Sequence, residues 1–168
     1  QAPPQNLRRA LKGASTLTVA ENKSTAVFDL NLGCAVAGTY LAPDRQGNIT
    51  AQQVADALRE DTALVSVMLV NNETGCVFPV GEIARLLRER GSKALLHTDA
   101  VQAFLKLPFR ADTLGADLIS VSGHKLNAPK GVGALYVRKN IPIFNLIEGG
   151  AQERGKRAGT ENVAGIAA

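Results

Sequence analysis

The sequence predicts an α/β fold: a mostly parallel sheet flanked by helices, in a single domain over residues 1–168. Three observations carry this. Apolar, β-prone runs alternate with stretches of helical periodicity, the pattern of strand–helix–strand units. The run Ala63–Val70 (ALVSVMLV) is almost unbroken, as suits a strand buried on both faces. Polar clusters follow directly on three of the runs, and in open α/β sheets ligands sit beyond the carboxyl ends of strands.

In chain order, Ser15–Ala20 is β-prone and Ser24–Gly33 is ambiguous, with Ser24 or Thr25 as a candidate N-cap. Ala37–Leu41 reads as a short strand and Pro43–Asn48 as a turn cluster. Thr50 caps a helix in which Val54, Ala57 and Leu58 recur at helical spacing. After the Ala63–Val70 strand, Pro79 starts a helix through Arg90 with Ile83, Leu86 and Leu87 on one side, and Gly91 ends it. Ala94–His97 is the next strand, Thr113–Gly115 a connector, and Asp117–Ser122 and Gly131–Val137 are two further strands.

Bulk composition narrows the function classes. Hydrophobic residues make up 45% of the chain and aromatic residues only 4%, with no Trp, so the core is aliphatic. The net charge of +4 is mild, and no basic run interleaved with aromatics argues for nucleic acid. No apolar run approaches the ~20 residues that span a bilayer. Two cysteines, Cys34 and Cys76, make no disulfide framework, and a soluble, cytoplasmic protein is expected. The chain opens Gln1-Ala-Pro-Pro-Gln5 without Met and closes on Val163–Ala168, so an incomplete domain is expected.

The chemistry concentrates in the polar clusters. Ser122-Gly123-His124-Lys125 places an amine just after a strand and a glycine turn, and Leu95–Gln102 places Asp99 at the end of another strand. An amine that condenses with an aldehyde, paired with a carboxylate that holds a protonated ring nitrogen, is what a pyridoxal phosphate site requires. Lys130 is the rival amine, and Asp99 has an equally good local role as a helix N-cap. Gln102, three residues on, faces the same way if Asp99 opens a helical turn, and its amide can then donate to the ring oxygen. Ser122, His124 and turn N–H groups suit a phosphate dianion. Asn71 and Asn72 follow a buried strand, where an Asx turn competes with a ligand role. Gly149–Asn162 is rich in glycine and cations and offers Thr160 to a phosphate, or is simply a solvated loop. Nothing beside Cys34 or Cys76 lowers a thiol pKa, so both read as structural.

Four segments, Val65–Gly75, Leu95–Ala103, Asp117–Lys139 and Gly149–Asn162, together resemble the class V aminotransferase branch of fold-type I pyridoxal phosphate enzymes, and within it the cysteine desulfurases. The resemblance implies that Lys125 holds the cofactor, Asp99 its ring nitrogen, Gln102 its ring oxygen, and Ser122 and His124 its phosphate. Asn72 would lie near the ring oxygen and the substrate carboxylate. Thr160 would reach the phosphate in the partner subunit of a homodimer. The implied activity releases sulfur from L-cysteine, leaving L-alanine and an enzyme persulfide, in iron–sulfur cluster assembly or thiolation with a sulfur-acceptor or scaffold protein. Selenocysteine lyase, another class V activity, or an inactive dimerisation fragment are the alternatives. Relative to the family pattern, Asn22 stands where a ring-stacking histidine is expected and Ala151 replaces a glycine. The sulfur-accepting cysteine and the arginine that clamps the substrate carboxylate would fall after residue 168.

Overall fold

The computed structural model describes residues 16–17, 25–30, 36–145 and 147–168. Seven strands form one sheet: β1 (Thr16–Leu17), β2 (Thr25–Leu30), β3 (Val36–Tyr40), β4 (Thr62–Met68), β5 (Leu95–Asp99), β6 (Leu118–Ser122) and β7 (Gly133–Val137). Their spatial order is β3-β2-β4-β5-β6-β7, and β1 pairs with β4. β4, β5 and β6 are parallel neighbours, and β1 runs parallel to β4. β2 runs antiparallel to both β3 and β4, and β7 antiparallel to β6. The sheet is therefore mixed but mostly parallel. Its antiparallel flanks follow from short connections: residues 123–132 join β6 to β7 without the crossover helix that a parallel return requires.

The ambiguous Ser24–Gly33 stretch contributes strand β2, and Ala37–Leu41 corresponds to β3. Within Ser15–Ala20 the described residues are the short β1. Asn22 and Cys34 lie outside the described residues.

Helix α1 (Ala51–Ala57) begins as its sequence predicts. The Thr50 side chain accepts from the Gln53 N–H, and the Gln53 side chain returns to the Thr50 N–H, a capping box. Helix α2 (Val80–Glu89) starts after Pro79, and its buried residues Val80, Ile83, Ala84 and Leu87 recur at helical spacing. Gly91, at φ 64°, ends it in the left-handed conformation that glycine adopts freely. α1 and α2 pack together, and the Arg90 guanidinium donates to the Ala55 carbonyl. The Thr113–Gly115 connector contains part of a short helix, α3 (Ala111–Leu114), which packs on α2. It closes on Gly115 at φ 81°, where a Cβ would lie 2.8 Å from the Ala84 Cβ. The last element is α4 (Val163–Ala167).

The main core lies on one face of the sheet. Val54, Ile83, Ala84 and Leu87 from the helices join Val65, Val67, Leu96 and Ile119 from the strands in one buried cluster. Alternation along each strand does this: Val65 and Val67 are 0% and 1% exposed, whereas Leu64, Ser66 and Met68 between and beside them are half-buried. This corrects the expectation that β4 is buried on both faces. The described helices α1 and α2 cover one side, and Leu64, Ser66, Met68, Leu95, His97, Asp99, Leu118 and Ser120 share the other, half-covered side.

Candidate active site

Strand register builds the site. Met68, Asp99 and Ser120 stand in one row across β4, β5 and β6. The ladder continues to the strand ends, where Leu69 N–H donates to the Asp99 carbonyl (2.8 Å) and Ala100 N–H to the Ser120 carbonyl (2.9 Å). The residues that follow β4, β5 and β6 thus emerge along one edge of the sheet, so Asn71-Asn72, Asp99–Gln102 and Ser122–Lys125 belong to one region.

Asp99 lies on the half-covered face. One carboxylate oxygen accepts from the Val101 N–H at 2.9 Å, so the local capping role is real. The other has no protein partner among the described residues. Beyond Asp99 the chain forms a series of turns rather than a regular helix, with Phe104 N–H and Ala103 N–H both donating to the Ala100 carbonyl. Gln102 is half-buried there, and its amide oxygen accepts from Lys106 Nζ at 3.0 Å. Its amide N–H groups have no acceptor among the described residues.

β6 ends at Ser122, and Gly123–Lys125 form a single 3₁₀ turn. The Ser122 hydroxyl and His124 Nδ1 are hydrogen-bonded at 2.7 Å, which joins the two proposed phosphate ligands. Gly123 N–H donates to the Val132 carbonyl at 2.8 Å, and a Cβ on Gly123 would meet Ala128 Cβ at 3.0 Å. Only glycine lets the loop close this tightly beneath the turn. Lys125 and the rival Lys130 are both exposed.

Asn71 is a turn residue. Its side-chain oxygen accepts from the N–H groups of Glu73 (2.9 Å) and Thr74 (2.8 Å) and from the Thr74 hydroxyl (3.0 Å). The neighbouring Asn72, just past the end of β4, is exposed. Thr160 is exposed and forms no hydrogen bond among the described residues. Its loop is tied internally, with Gly159 N–H donating to the Gln152 amide oxygen at 3.1 Å. Register sets the ends of β4, β5 and β6, which lead into Asn72, Asp99–Gln102 and Ser122–Lys125, at the same end of the sheet; Thr160 follows no strand of this row. Cys76 is half-buried, with its thiol donating to the Gln46 carbonyl at 3.4 Å.

One feature escaped the sequence reading. Ser66 Oγ lies 2.7 Å from His97 Nδ1, and His97 Nε2 lies 2.9 Å from Ser120 Oγ, so a hydrogen-bonded chain crosses the three parallel strands. Burial pushes the His97 pKa down against the opposing pull of the Asp99 charge, so the ring is held toward its neutral form. The available signal was polar residues at alternating positions inside apolar strands, with His97 two residues before Asp99 on the same face.

A family model described as aminotransferase class-V matches residues 4–168. The chain is 52% identical over 130 residues to "Cysteine desulfurase 2" of Trichormus variabilis (strain ATCC 29413 / PCC 7937), which covers 77% of this chain and 32% of that protein. Among solved structures it is similar to "SspA in complex with cysteine" (TM-score 0.72, 45% identity, 76% of this chain and 37% of that one). It is also similar to a structure titled "NIFS-LIKE PROTEIN" (TM-score 0.73, 44% identity, 76% of this chain and 35% of that one). The chain spans about a third of the length of the curated relatives it matches. The sheet shared with these structures is the fold-type I arrangement that the four sequence segments predicted. By the extent of the family match, and by agreement with its cysteine desulfurases in both sequence and fold, the chain belongs to the aminotransferase class-V family.

Proposed function

We propose that this chain is the cofactor-holding part of the large domain of a cysteine desulfurase, acting on L-cysteine with pyridoxal 5'-phosphate. The single observation that carries the reading is the register row at the sheet edge. It sets Asp99, one of whose carboxylate oxygens has no hydrogen bond among the described residues, beside the strand that leads into Ser122–Lys125. The donor set fits the group: a carboxylate for a ring nitrogen, a hydrogen-bonded hydroxyl–imidazole pair for a phosphate, an amide N–H for a ring oxygen and a primary amine for an aldehyde. When bound, pyridoxal phosphate supplies an electron-withdrawing ring that stabilises negative charge on the α-carbon of an amino acid.

In this reading each residue has one task. Lys125 would supply the amine that holds the cofactor and, when free, would take up the substrate α-proton, ending as an ammonium. Asp99 would face the ring nitrogen, and its Val101 N–H contact holds the carboxylate in place. Gln102 donates to the ring oxygen, and its own oxygen is oriented by Lys106. Ser122 and His124 bind phosphate together, and Asn72 meets the ring oxygen or the substrate carboxylate. Thr160 serves the partner subunit's site in a homodimer. The products are L-alanine and a persulfide on an acceptor cysteine, passed on to a sulfur-acceptor or scaffold protein of iron–sulfur cluster assembly in the cytoplasm. Cys76 is not assigned as that acceptor, since its half-buried thiol is committed to the Gln46 carbonyl.

The test is chemical. The protein is incubated with pyridoxal phosphate, reduced with borohydride and digested. A label on Lys125, lost in Lys125→Ala, is the expected result. A label on Lys130, or none, rejects the assignment.

A further inference from the structure

We propose that Lys106 is a positioning residue: it fixes the flip of the Gln102 side-chain amide, so that the amide offers its N–H groups, and not its oxygen, to the cofactor's ring oxygen. The proposal deepens the cofactor reading above and rests on it for the identity of the acceptor.

The backbone brings the two side chains together. Gln102 and Lys106 are four residues apart, but the segment between them is a series of turns, so their contact does not follow from helical spacing. Two successive turns make it. The Ala100 carbonyl accepts from the Ala103 and Phe104 N–H groups (2.9 and 2.8 Å), and the Ala103 carbonyl from the Lys106 and Leu107 N–H groups (2.9 and 2.8 Å). Both alanines are 0% exposed, so the turns hang from points fixed in the core. Leu105 lies inside the second turn at φ 60°, the left-handed region that a residue with a side chain enters at a cost. Across this turn Lys106 Nζ meets the Gln102 amide oxygen at 3.0 Å. Phe104 and Phe109 meet edge to face in the same loop, with ring centroids 6.3 Å apart. The contact is thus supported by the backbone, although Lys106 itself is exposed.

The chemistry of the pair selects one arrangement. An ammonium has three donors and no acceptor, whereas an amide carries an acceptor oxygen on one side and two N–H donors on the other. Turned by half a rotation, the amide would set N–H against N–H, which is repulsive. Lys106 therefore admits one flip and leaves the Gln102 N–H groups directed away from itself. Those groups have no acceptor among the described residues, and Gln102 is half-buried, so water reaches it incompletely. Lys106 forms no ion pair among the described residues, so no carboxylate there competes with the amide for its ammonium. A half-buried donor without an acceptor suits an acceptor atom brought by a ligand, which in the proposed site is the ring oxygen. The bond from a charged neighbour also polarises the amide and strengthens its N–H groups as donors.

Two measurements test this. In cofactor-free protein, nitrogen-15 relaxation of the side-chain amides reads how firmly Gln102 is held, its signal being assigned by its loss in Q102E. The amide should be ordered in the unmodified protein and mobile in K106M, which keeps the stem and removes the donors. K106R, which again offers only donors, should hold it. With pyridoxal phosphate bound, visible absorbance followed against pH reads the ring oxygen. A donor to that oxygen favours its ionised form, so K106M should raise the midpoint of the absorbance change by roughly half to one pH unit, the equivalent of one hydrogen bond. K106R should bring it back. An amide as ordered in K106M as in the unmodified protein, a K106M effect that K106R does not reverse, or a midpoint unmoved by K106M in protein labelled at Lys125 overturns the proposal. The cofactor-free measurement reads the positioning alone, whereas failure of the Lys125 labelling rejects the cofactor reading, so the two failures are distinguishable.

Discussion

Asp99 and His97 differ by two positions and share a face, yet their hydrogen-bond surroundings differ. Asp99 sits at the strand end, anchored through one oxygen by a backbone N–H. His97 sits one pair deeper, with both nitrogens bonded to neutral hydroxyls. Asp99→Asn preserves the shape and removes the charge. On the function proposed above, this should lower the rate of alanine formation from L-cysteine about 100-fold or more. His97 makes a separate prediction for stability. Its folded pKa lies below its unfolded value, so below pH ~6.5 the unfolded chain binds more protons than the native one. Stability is then complete at higher pH and is lost as pH falls through that value toward the folded pKa, by at most about 1.4 kcal/mol per pH unit. Urea melts at stepped pH should show this acid slope, and His97→Asn should reduce it.

The elements stand or fall by a few contacts. α1 depends on the Thr50–Gln53 capping box, so Thr50→Ala should cost about 1 kcal/mol in urea unfolding. Asp117, 6% exposed, staples the start of β6 to both neighbours. Its carboxylate accepts from the Leu96 N–H at 2.7 Å on the β5 side and forms an ion pair with Arg138, just past β7. Its own N–H donates to the Leu96 carbonyl, and its carbonyl accepts from the Arg138 N–H. Asp117→Ala leaves a buried N–H without a partner and should lower stability by about 3 kcal/mol, read as a shift in the urea midpoint. Both devices were partly legible. Thr50 three residues before Gln53 is a helix-start signal in the sequence. Asp117 read only as the first residue of a strand, because its two partners come from segments about twenty residues away on either side in the chain.

At the scale of the whole molecule, alternation divides the sheet into a covered and a half-covered face. Leu96 and Leu95 are adjacent, but Leu96 is 1% exposed against α1 and α2 whereas Leu95 is half-buried on the opposite side. Leu96→Ala should cost about 2–5 kcal/mol, and Leu95→Ala clearly less, compared by urea denaturation of the two variants. Equal losses would mean that both faces are sealed in solution. The half-covered face is also the one that carries His97 and Asp99, so the chemistry and the incomplete burial share a side.

The sequence by itself determined the α/β class and most of the order of elements, and it supplied the residues proposed for the site. Local signals sufficed: the capping box, the Pro79 and Gly91 boundaries, the apolar β4 run, and polar residues placed directly after strands. Residues 123–132 are too short for a crossover, and the antiparallel β7 follows from that length, although only the assembled sheet made it plain. Tertiary structure alone decided which face of β4 is buried and that Ser66, His97 and Ser120 meet. Both outcomes depend on register between strands distant in the chain, and a one-residue slip would send these strand side chains to the other face.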